Sequence, residues 1–549
     1  MAEINERQRK EKISLYLIRD NTLDDEKFIK FEKVQVPAAN LEMPDDVKAT
    51  LYIKKNPRDT LPSWTKFLTN DQNLSNTVFY PPKSLSAVVV VRANKNIFVL
   101  SFGMGFHLFK SHYIERDFGL RVTLNSVEPE QLRSIDKSNF SENPLHSRTQ
   151  STKAVDAFEL LIDSESDLMY AITGTSKIKE FGSIVTGRDA LVFNTNKEFK
   201  QIVPILTKAI TLYKSKLPKE FSWFDDIKRV KSPDLVNSLV TELIQKLNKN
   251  KLSDVWLGEQ GIVDWEEQVG YSFYLRGNFV IHETLNIEDL LKYLKDCGRD
   301  ISYENLEKQN IHIIGPDHKS VQSWRAYNCL YAELKYEDKI YILRAGVWYE
   351  IETNFLKVIN EYIAKIPLYN KKLPIYDCMT EKEYNNKFKK IVGYEHMDAK
   401  NISYGGGQSK IEFCDVIYNK SEWIHVKYYR GSSCLSHLFS QGQVASETFI
   451  KEEAFREKLN DKLPPKLQIK DVTIKPNASN YTIIFAIATN KNIPEELPFF
   501  SKITLKNAFK NLDALGFKVN LLSIDIDPII LTKKKNKPSK NKKQTTARP

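Results

Sequence analysis

The chain has 549 residues, of which 41% are hydrophobic and 28% are charged, a balance typical of a soluble globular protein. This length exceeds what one hydrophobic core supports, so we expect two to four domains. No run approaches the roughly 18 apolar residues that a membrane helix requires, which argues against a membrane protein. The charged N-terminus, MAEINERQRKEKISLYLIRD, lacks the apolar core of a signal peptide, so we expect a cytoplasmic protein.

The formal net charge of +11 is concentrated at the C-terminus. The last 18 residues, TKKKNKPSKNKKQTTARP, contain seven Lys, one Arg and no acid, so subtracting 8 from +11 leaves +3 for the other 531 residues. We expect this basic tail, residues 532–549, to be disordered. It either attracts phosphates without regard to sequence or serves as a solubilising end, and the composition does not decide between these two roles.

The cysteine pattern argues against both a disulfide framework and a zinc ribbon. The five cysteines are odd in number and widely spaced, and none forms a CxxC pair. We expect them to be reduced thiols.

Residues 1–200 are predicted to form an N-terminal α/β domain. ISLYLIR (13–19), LSAVVVVRA and NIFVLSFG are typical of strands, and the last of these leads into the glycine turn GMGF. A helical segment and a strand over residues 120–125 are expected next. The Gly-x-Gly turn either cradles a phosphate or provides a tight turn. The third glycine of a dinucleotide motif is missing, which favours the tight turn.

The middle domain, residues 201–372, is predicted to be helical at first and then mixed α/β. NIEDLLKYLKDC is an amphipathic helix with Asn286 as a plausible cap. The run AYNCLYAELKYEDKIYILRAGVWYEI predicts a meander with turns at YEDK and at Ala345–Gly346.

The C-terminal domain, residues 373–531, is predicted to be α/β. TEKEYNNKFKKI reads as a helix capped by Thr380, and a helix is expected over about 436–459. NYTIIFAIAT, SKITLKNAFKNLDALG and KVNLLSIDI predict a closing strand, helix and strand. The fold class is therefore multidomain α/β or α+β, with mixed sheets.

Two segments combine arginine with hydroxyl and amide groups in what reads as a loop. HSRTQS contains Arg148 and TGRDA contains Arg188. Such clusters bind phosphate through paired guanidinium N–H groups. The structural alternative is that Arg188 pairs with Asp189 across a turn.

The stretch IEFCDVIYNKSEWIHVK, residues 411–427, carries polar groups within two apolar runs. Metal-dependent nucleases bring carboxylates from one strand beside a lysine from the next, and the carboxylates hold Mg²⁺ or Mn²⁺. We therefore single out Glu412, Asp415, His425 and Lys427 as candidate catalytic residues, with Asp415 and Glu412 as candidate metal ligands.

Side-chain alternation refines this candidate site. His425 and Lys427 fall on one face of the second strand, with Trp423. Glu412 and Asp415 are three residues apart, so on a regular strand only one of them joins the set unless a bulge intervenes.

The stretch resembles the PD-(D/E)xK nuclease superfamily, with one departure. His425 stands where that superfamily's motif has its second carboxylate, and Asp398 or Glu395 in GYEHMDAK could supply the missing group. A nuclease-like binding fold without activity, or an unrelated sheet with a solvated Lys427, are the alternatives.

The segment that follows, YYRGSSCLSHLFSQGQVASETF, adds candidate nucleic-acid contacts. Aromatic residues beside arginine and a serine-rich loop are typical of such surfaces. With Arg148 and Arg188, the candidates are Arg430, Ser432, His437 and Gln441. His437 also fits a buried histidine on a helix face.

Read together, the motifs resemble one family over about residues 13–525. FGMGFHLF, HSRTQS, TGRDAL, GVWYEI, IEFCDVI…WIHVK and LSHLFSQG occur in this order. They resemble a sporadically distributed, uncharacterised bacterial family often found near restriction–modification genes. That resemblance implies a role in defence loci with DNA or RNA and possible partner proteins from the same locus, but it supplies no catalytic residues.

Two main functions follow as hypotheses, and a nucleotide-modifying enzyme that uses the GMGFH turn is a third and weaker one. The first is a defence- or restriction-associated protein that cuts nucleic acid with a divergent Mg²⁺ or Mn²⁺ centre. The second is a non-catalytic recognition or scaffold subunit of a defence system, which needs no cofactor.

Overall fold

A computed structural model describes the chain in two compact units, which are treated separately. The N-terminal unit comprises Met1–Ser138 and His146–Phe224, and the C-terminal unit comprises Asn139–Leu145 and Asp225–Pro549. The described residues are 10–36, 38–44, 47–55, 85–139, 146–156, 159–160, 162, 167–260, 268–277, 279–403, 410–530 and 545–546. Within these ranges, no helix combines the length and apolarity needed to span a bilayer.

A ten-stranded sheet forms the N-terminal unit. Its strands are β1 (Glu11–Leu17), β2 (Ala39–Leu41), β3 (Lys48–Ile53), β4 (Ala87–Ala93), β5 (Asn96–Phe102), β6 (Val127–Asn139), β7 (His146–Val155), β8 (Asp167–Ser176), β9 (Ile184–Gly187) and β10 (Leu191–Thr195). The spatial order is β2-β3-β4-β5-β1-β10-β9-β8-β6-β7, so β7 ends the sheet. Within the described residues of this unit, the α-helices are α1 (Asp25–Phe28), α2 (Phe118–Ser126) and α3 (Ile202–Lys214).

The two apolar runs predicted as strands form β4 and β5, which pair with each other as a hairpin. Asn94 and Lys95 both have positive φ, 52° and 58°, as a two-residue hairpin turn requires. The residues of both strands are mostly buried because helices and loops cover the two faces of the sheet.

The predicted strand over residues 120–125 is wrong, because this segment is helix α2. Eight of its nine residues are buried, so the segment shows no polar stripe that would indicate a helix. Gly119 is required there, since a Cβ atom would lie 2.0 Å from the carbonyl oxygen of Ala190. Residues 120–125, LRVTLN, alternate apolar and polar side chains as a half-buried strand does, and the polar Thr123 and Asn125 are buried in the helix.

The glycines of GMGF serve close packing and turn formation. Gly103 has a φ of +58°, and a Cβ atom at Gly105 would lie 2.2 Å from the carbonyl oxygen of Ala87. This geometry agrees with the tight turn favoured by the sequence.

The first part of the C-terminal unit contains two antiparallel sheets. Their strands are β11 (Ile227–Arg229), β12 (Val255–Leu257), β13 (Gly270–Ser272), β14 (Val280–Ile281), β15 (Asn310–Ile314), β16 (Ser320–Arg325), β17 (Leu330–Tyr336), β18 (Lys339–Arg344) and β19 (Val347–Ile351). One sheet has the order β11-β19-β18-β17-β12 and the other β13-β15-β16, while β14 pairs separately with Thr545–Thr546. The helices are α4 (Pro233–Asn248), α5 (Ile287–Asp296), α6 (Tyr303–Lys308) and α7 (Thr353–Ile363).

Both turns predicted for the meander are confirmed. Glu337 and Asp338 have positive φ between β17 and β18, and Ala345 and Gly346 have positive φ between β18 and β19. Asn286 is the N-cap residue of α5, as expected, although its side chain makes no cap hydrogen bond.

The second part of the C-terminal unit contains a mixed five-stranded sheet. Its elements are α8 (Glu381–Asn386), β20 (Tyr394–His396), β21 (Asn401–Ser403), β22 (Lys410–Glu412), β23 (Val416–Tyr418), β24 (Glu422–Tyr428), α9 (Ser432–Lys451), α10 (Glu453–Asn460), β25 (Thr482–Ala488), α11 (Phe499–Ala514) and β26 (Lys518–Ile524). The sheet order is β20-β23-β24-β25-β26, and β21 pairs with β22 apart from it. Neighbours are antiparallel from β20 to β24 and parallel from β24 to β26.

The alternation predicted along β24 is confirmed by its packing. Trp423 belongs to the core cluster shared with α9 and α11, whereas Ile424 and Val426 belong to the cluster shared with α8. Strand β24 is therefore covered on both faces, and its C-terminal end carries Lys427 and Tyr428 towards the edge of the packed layers.

The fold is a mixed α+β arrangement with several sheets, as the sequence predicts. The compact units divide near residue 225, whereas the proposed domain boundaries at 200 and 372 stay predictions. The tail at 532–549 lies outside the described residues except for Thr545–Thr546.

A candidate metal centre in the mixed sheet

Three carboxylates converge beside strand β24. Asp398, Glu412 and Asp415 each place one oxygen so that the three oxygens lie within 4.8 Å of one another. The backbone holds this arrangement, because the N–H groups of Met397 and Asp398 both donate to the carbonyl oxygen of Asp415, at 2.8 and 3.0 Å. Asp398 is one of the two residues that the sequence suggests for the carboxylate that His425 replaces in the nuclease motif.

The expectation that only one of Glu412 and Asp415 joins the site is wrong. Glu412 ends β22, which pairs with β21, whereas Asp415 directly precedes β23, which pairs with β20 and β24. Between them the chain leaves one sheet for another, and Phe413 and Cys414 are buried. Side-chain alternation applies within one regular strand, so it does not carry across this change of sheet.

Each of the two central carboxylates accepts hydrogen bonds at both of its oxygens. Glu412 accepts from the backbone N–H of Ala399 and from the side-chain amide of Gln441, both at 2.8 Å. Asp415 accepts from the backbone N–H of Val426 at 2.7 Å and from the side-chain amide of Asn385 at 2.9 Å. Four separate segments thus fix the orientation of the pair.

The electrostatics of the cluster show an excess of negative charge. Burial raises the pKa of Asp415 well above its usual range, and the charges of Glu412, Asp398 and Glu381 raise it further against the opposing Val426 hydrogen bond. Burial and then Glu412 also raise the pKa of Asp398. A cation at this point would offset the repulsion between the carboxylates.

Asn385 adds an unsatisfied oxygen to the same place. Its side chain is 1% exposed, and its amide nitrogen donates to Asp415. In the described part of the chain, its buried Oδ1 has no hydrogen-bond partner. A buried amide oxygen without a partner is costly, and amide oxygens are ligands that hard divalent cations accept.

Lys427 lies at the end of β24 and pairs with Glu381. Its Nζ is 3.0 Å from Oε2 of Glu381, and the other oxygen of Glu381 accepts the backbone N–H of Tyr428 at 3.3 Å. The two side chains are 24% and 26% exposed, so solvent reaches the pair. The sequence reasoning missed Glu381, because an acid in the first turn of a capped helix is common and indicates no function.

His425 lies away from the carboxylates. It is 1% exposed, its ring lies 6.0 Å from that of Phe485, and a Cβ atom at Gly442 would meet it at 3.3 Å. Burial lowers its pKa to about 4, so the ring is neutral near pH 7. His425 is therefore a core residue between β24 and α9, and it is not one of the three residues whose ligand atoms converge.

The candidate nucleic-acid-binding residues that follow β24 differ from one another in exposure and in contacts. Gln441 contacts Glu412, and the guanidinium of Arg430 lies 5.9 Å from the ring centre of Tyr428 and lines a cavity of about 280 Å³. His437 is exposed on α9, so the interpretation as a core histidine is wrong. The side chain of Ser432 lies outside the described part of the chain.

Arg148 and Arg188 meet in the N-terminal unit. Both contact Asp136, each with a shortest distance of 2.7 Å. The loop setting expected for Arg148 is wrong, because it lies on strand β7. The ion pair described for Arg188 is with Asp136 and not with Asp189.

The fold and this geometry define an α+β protein of two compact units with a cluster of three carboxylates beside a mixed sheet. The chain belongs to DUF6119, a family of unknown function, whose model matches residues 13–525. That coverage confirms the prediction of one family over nearly the whole chain. No curated protein and no solved structure matches this chain.

Proposed function

We propose that this protein is a metal-dependent phosphodiesterase that acts on nucleic acid. The observation that carries the proposal is the convergence of Asp398, Glu412 and Asp415 beside the end of the strand that bears Lys427. The buried Oδ1 of Asn385, which has no hydrogen-bond partner in the described part of the chain, supports it, since amide oxygens are ligands that divalent cations accept.

The spacing suits one divalent cation. Mg²⁺ binds oxygen at roughly 2.0–2.1 Å, so opposite ligands are separated by about 4.2 Å, and the larger Ca²⁺ allows about 5 Å. Three oxygens within 4.8 Å of one another therefore reach a common ion with small side-chain rotations. Mg²⁺ and Mn²⁺ are the ions we propose, since both accept all-oxygen sites.

The proposed reaction is hydrolysis of a phosphodiester bond. The oxygen of a water molecule forms a bond to phosphorus, the bond to one ester oxygen breaks, and that oxygen leaves with a proton. A bound cation supplies acidity to the attacking water and charge compensation at the phosphate. Lys427, held by Glu381, places an ammonium group next to the phosphate or the attacking water.

The resemblance to the PD-(D/E)xK superfamily gives these residues an interpretation. His425 occupies the position of the second carboxylate of that motif, and we propose that Glu412 replaces it from the preceding sheet. The order of a helix with Glu381, three antiparallel strands, a helix with Gln441 and a parallel strand is compatible with this interpretation.

Nucleic acid is the proposed substrate because of the cations outside the centre. These are the exposed Arg148 and Arg188 and the eight cations among the last 18 residues. DNA and RNA both remain candidates, and a role in a bacterial defence or restriction system, with partner proteins from the same locus, rests on the family resemblance of the motifs.

A non-catalytic recognition subunit is the second candidate function. It is favoured by His425, since the motif position that bears a carboxylate in active nucleases holds a buried, neutral histidine here. In that case the carboxylates serve the structure alone, and binding requires no metal.

The test measures metal binding and cleavage with the same preparations. Calorimetry with Mn²⁺ and cleavage of plasmid, single-stranded DNA and RNA are compared for the wild type, Asp415→Asn, Glu412→Gln and Lys427→Met. Asp338→Asn and Lys335→Met are matched controls, since both residues are exposed in the same unit. We expect the two carboxylate variants to lose Mn²⁺ binding and cleavage, and Lys427→Met to lose cleavage alone. Cleavage that survives in all three variants excludes this centre, and wild-type binding of nucleic acid without metal binding favours the recognition subunit.

A further inference from the structure

Arg148, Asp136 and Arg188 form a compact charged group on the N-terminal unit, here called the arginine pair. Arg148 lies directly opposite Asp136 in the pairing of β7 with β6. Its Nε and Nη2 each donate to a different oxygen of Asp136, at 2.7 Å. Arg188 follows β9 and donates its Nη2 to the second of those oxygens, also at 2.7 Å. One carboxylate therefore orients two guanidinium groups.

The pair retains a positive charge on an open surface. The side chains of Arg148 and Arg188 are 56% and 52% exposed, whereas that of Asp136 is 19% exposed. Burial raises the pKa of Asp136, but the two arginines outweigh it and hold the pKa below its usual range. Two cations thus share one anion, and the net charge of the group is +1.

Three guanidinium nitrogens of the two arginines do not donate to Asp136. The hydrogen bonds to Asp136 use Nε and Nη2 of Arg148 and Nη2 of Arg188. In the described part of the chain, Nη1 of Arg148 and Nε and Nη1 of Arg188 form no side-chain hydrogen bond. Guanidinium groups held in a fixed plane by a carboxylate are suited to bind phosphate oxygens in pairs.

A half-buried pair of aromatic rings, His146 and Tyr170, lies next to the arginine pair. His146 is two residues before Arg148 on β7, so the two side chains share a face of the sheet. The ring of His146 stacks on Tyr170, with 6.1 Å between centroids and an interplanar angle of 25°, and the Tyr170 hydroxyl lies 3.1 Å from that of Ser138. Aromatic rings beside arginine are typical of surfaces that contact nucleic acid.

An isolated exposed ion pair contributes about 0–1 kcal/mol, and the bidentate geometry at Asp136 raises the contribution of Arg148. Arg188 adds a second cation that this one carboxylate does not neutralise. Strand β7 ends the ten-stranded sheet and none of its residues is buried, so solvent reaches it. Charge, exposure and free donors all match an extended polyanion.

We propose that the arginine pair binds the phosphodiester backbone of the nucleic acid that the proposed phosphodiesterase cleaves. The substrate class rests on the proposed function, but the binding does not require the metal centre. The N-terminal unit captures the substrate through Arg148 and Arg188, and Asp136 acts as a positioning residue for both.

The experiment is equilibrium binding without divalent metal. Fluorescence anisotropy of labelled 30-nucleotide single-stranded DNA and RNA is measured in EDTA over a series of salt concentrations. The variant Arg148→Gln/Arg188→Gln is compared with Lys177→Gln/Lys200→Gln. The control removes two cations from the same unit, and its lysines are 40% and 61% exposed and paired with Glu128 and Glu42. Net charge and loss of ion pairs are therefore matched.

We expect the arginine variant to bind at least tenfold more weakly than the control variant. The slope of log K against log salt concentration falls by about 1.4 for two lost contacts to a single strand. A second variant, Arg148→Lys/Arg188→Lys, keeps the charge and loses the paired donors, so we expect weaker binding with an unchanged slope. It also decides the question if the glutamine variant does not fold.

Equal affinities of the arginine and control variants would overturn the proposal, as would wild-type affinity of the lysine variant. The two proposals fail separately. If Asp415→Asn keeps both cleavage and Mn²⁺ binding, the proposal of the metal centre fails, whatever the anisotropy shows. If the arginine variant binds nucleic acid as tightly as the control variant, the proposal of the arginine pair fails, whatever the Mn²⁺ binding shows.

Discussion

The ammonium group of Lys427 lies 3.0 Å from the carboxylate of Glu381, and this contact joins the end of β24 to the first turn of α8. Thr380 and Glu383 form a capping box that fixes the start of α8, so the position of Glu381 is set by the helix and not by the strand. The charge of Glu381 also raises the pKa of Asp415. Glu381 therefore acts on the candidate centre in two ways, by orienting Lys427 and by adding negative charge.

Replacement of Glu381 by glutamine tests its role as a positioning residue. Glu381→Gln keeps an acceptor for the N–H of Tyr428 but removes the charge that holds Lys427. Loss of such an orienting partner typically costs 10–100-fold in activity, so we expect the single-turnover cleavage rate to fall by about that factor. Mn²⁺ affinity should not weaken, because Glu381 is not one of the three converging carboxylates.

A double-mutant cycle makes this prediction specific. If Glu381 acts through Lys427, Glu381→Gln should have no further effect on the rate of Lys427→Met. Glu361→Gln, an exposed residue paired with Lys357, is the matched control. Additive losses in the double variant would contradict a role through Lys427.

Asp415→Asn should stabilise the metal-free protein at neutral pH. The folded-state pKa of Asp415 is raised, so its contribution to stability is present below the unfolded pKa and is lost as the pH rises through the folded pKa. The substitution removes that cost. The new amide also keeps its hydrogen bonds, because the oxygen still accepts from Val426 and its nitrogen finds the orphaned oxygen of Asn385 after an amide flip.

Addition of Mn²⁺ should reverse the order of thermal stability, so that Asp415→Asn becomes less stable than the wild type. A ligand at 100 times its Kd stabilises the folded state by about 2.7 kcal/mol. Thermal unfolding with Mn²⁺ should therefore raise the Tm of the wild type and of Asp338→Asn, but not that of Asp415→Asn. An equal shift in all three proteins would place the bound Mn²⁺ elsewhere.

The sequence predicts the elements of the mixed sheet better than it predicts the site. Strand β25, helix α11 and strand β26 lie where the sequence predicts a strand, a helix and a strand, and the helix capped by Thr380 is predicted from its capping residue. Helix α2 is predicted as a strand because LRVTLN alternates apolar and polar residues, and the burial of Thr123 and Asn125 depends on tertiary contacts that the local pattern does not contain.

The candidate site depends on contacts that the local pattern does not contain. Glu381 and Asn385 come from a helix about 30 to 46 residues before their partners Asp415 and Lys427. Glu412 and Asp415 come together because the chain changes sheet between them. Both relationships are tertiary, so spacing along one strand pair indicated the right segment but only part of the residue set.

The burial of His425 predicts a loss of stability on acidification. Its folded pKa is about 4, below the unfolded value of about 6.5, so its stabilising contribution is present above pH 6.5 and is lost as the pH falls towards 4. Each pH unit in this window costs about 1.4 kcal/mol of unfolding free energy. His425→Leu removes this proton uptake, so its free energy of unfolding should fall less than that of the wild type between pH 6.5 and 5.

The comparison is made by urea denaturation at several pH values. His437→Leu is the matched control, since it removes an exposed histidine from the neighbouring helix. A wild-type slope that persists in His425→Leu would show that other groups cause the acid sensitivity. Catalytic participation of His425 would instead appear as loss of cleavage at pH 7.5 with an unchanged Tm.

Buried Glu333, in the same unit, predicts that folding stability falls as the pH rises, which is opposite to the effect of His425. Its carboxylate accepts the backbone N–H of Phe499 at 2.7 Å and that of Phe500 at 3.4 Å, at the start of α11. These bonds favour the ionised form, yet burial outweighs them, Asp254 adds to it, and the pKa of Glu333 rises to about 7. A raised carboxyl pKa means that stability is fully present below the unfolded value of about 4.3 and is lost as the pH rises through 7.

Glu333→Gln should therefore gain stability relative to the wild type between pH 5 and pH 8, because the amide oxygen accepts a helix N–H without becoming charged. Glu457→Gln, an exposed residue of α10, is the control. The difference in urea midpoint between Glu333→Gln and wild type should be more positive at pH 8 than at pH 5, opposite in sign to the trend expected from His425. A constant difference across this range would mean that Glu333 is already ionised in the folded protein at pH 5, and the two N–H groups of α11 would then hold its charge despite the burial.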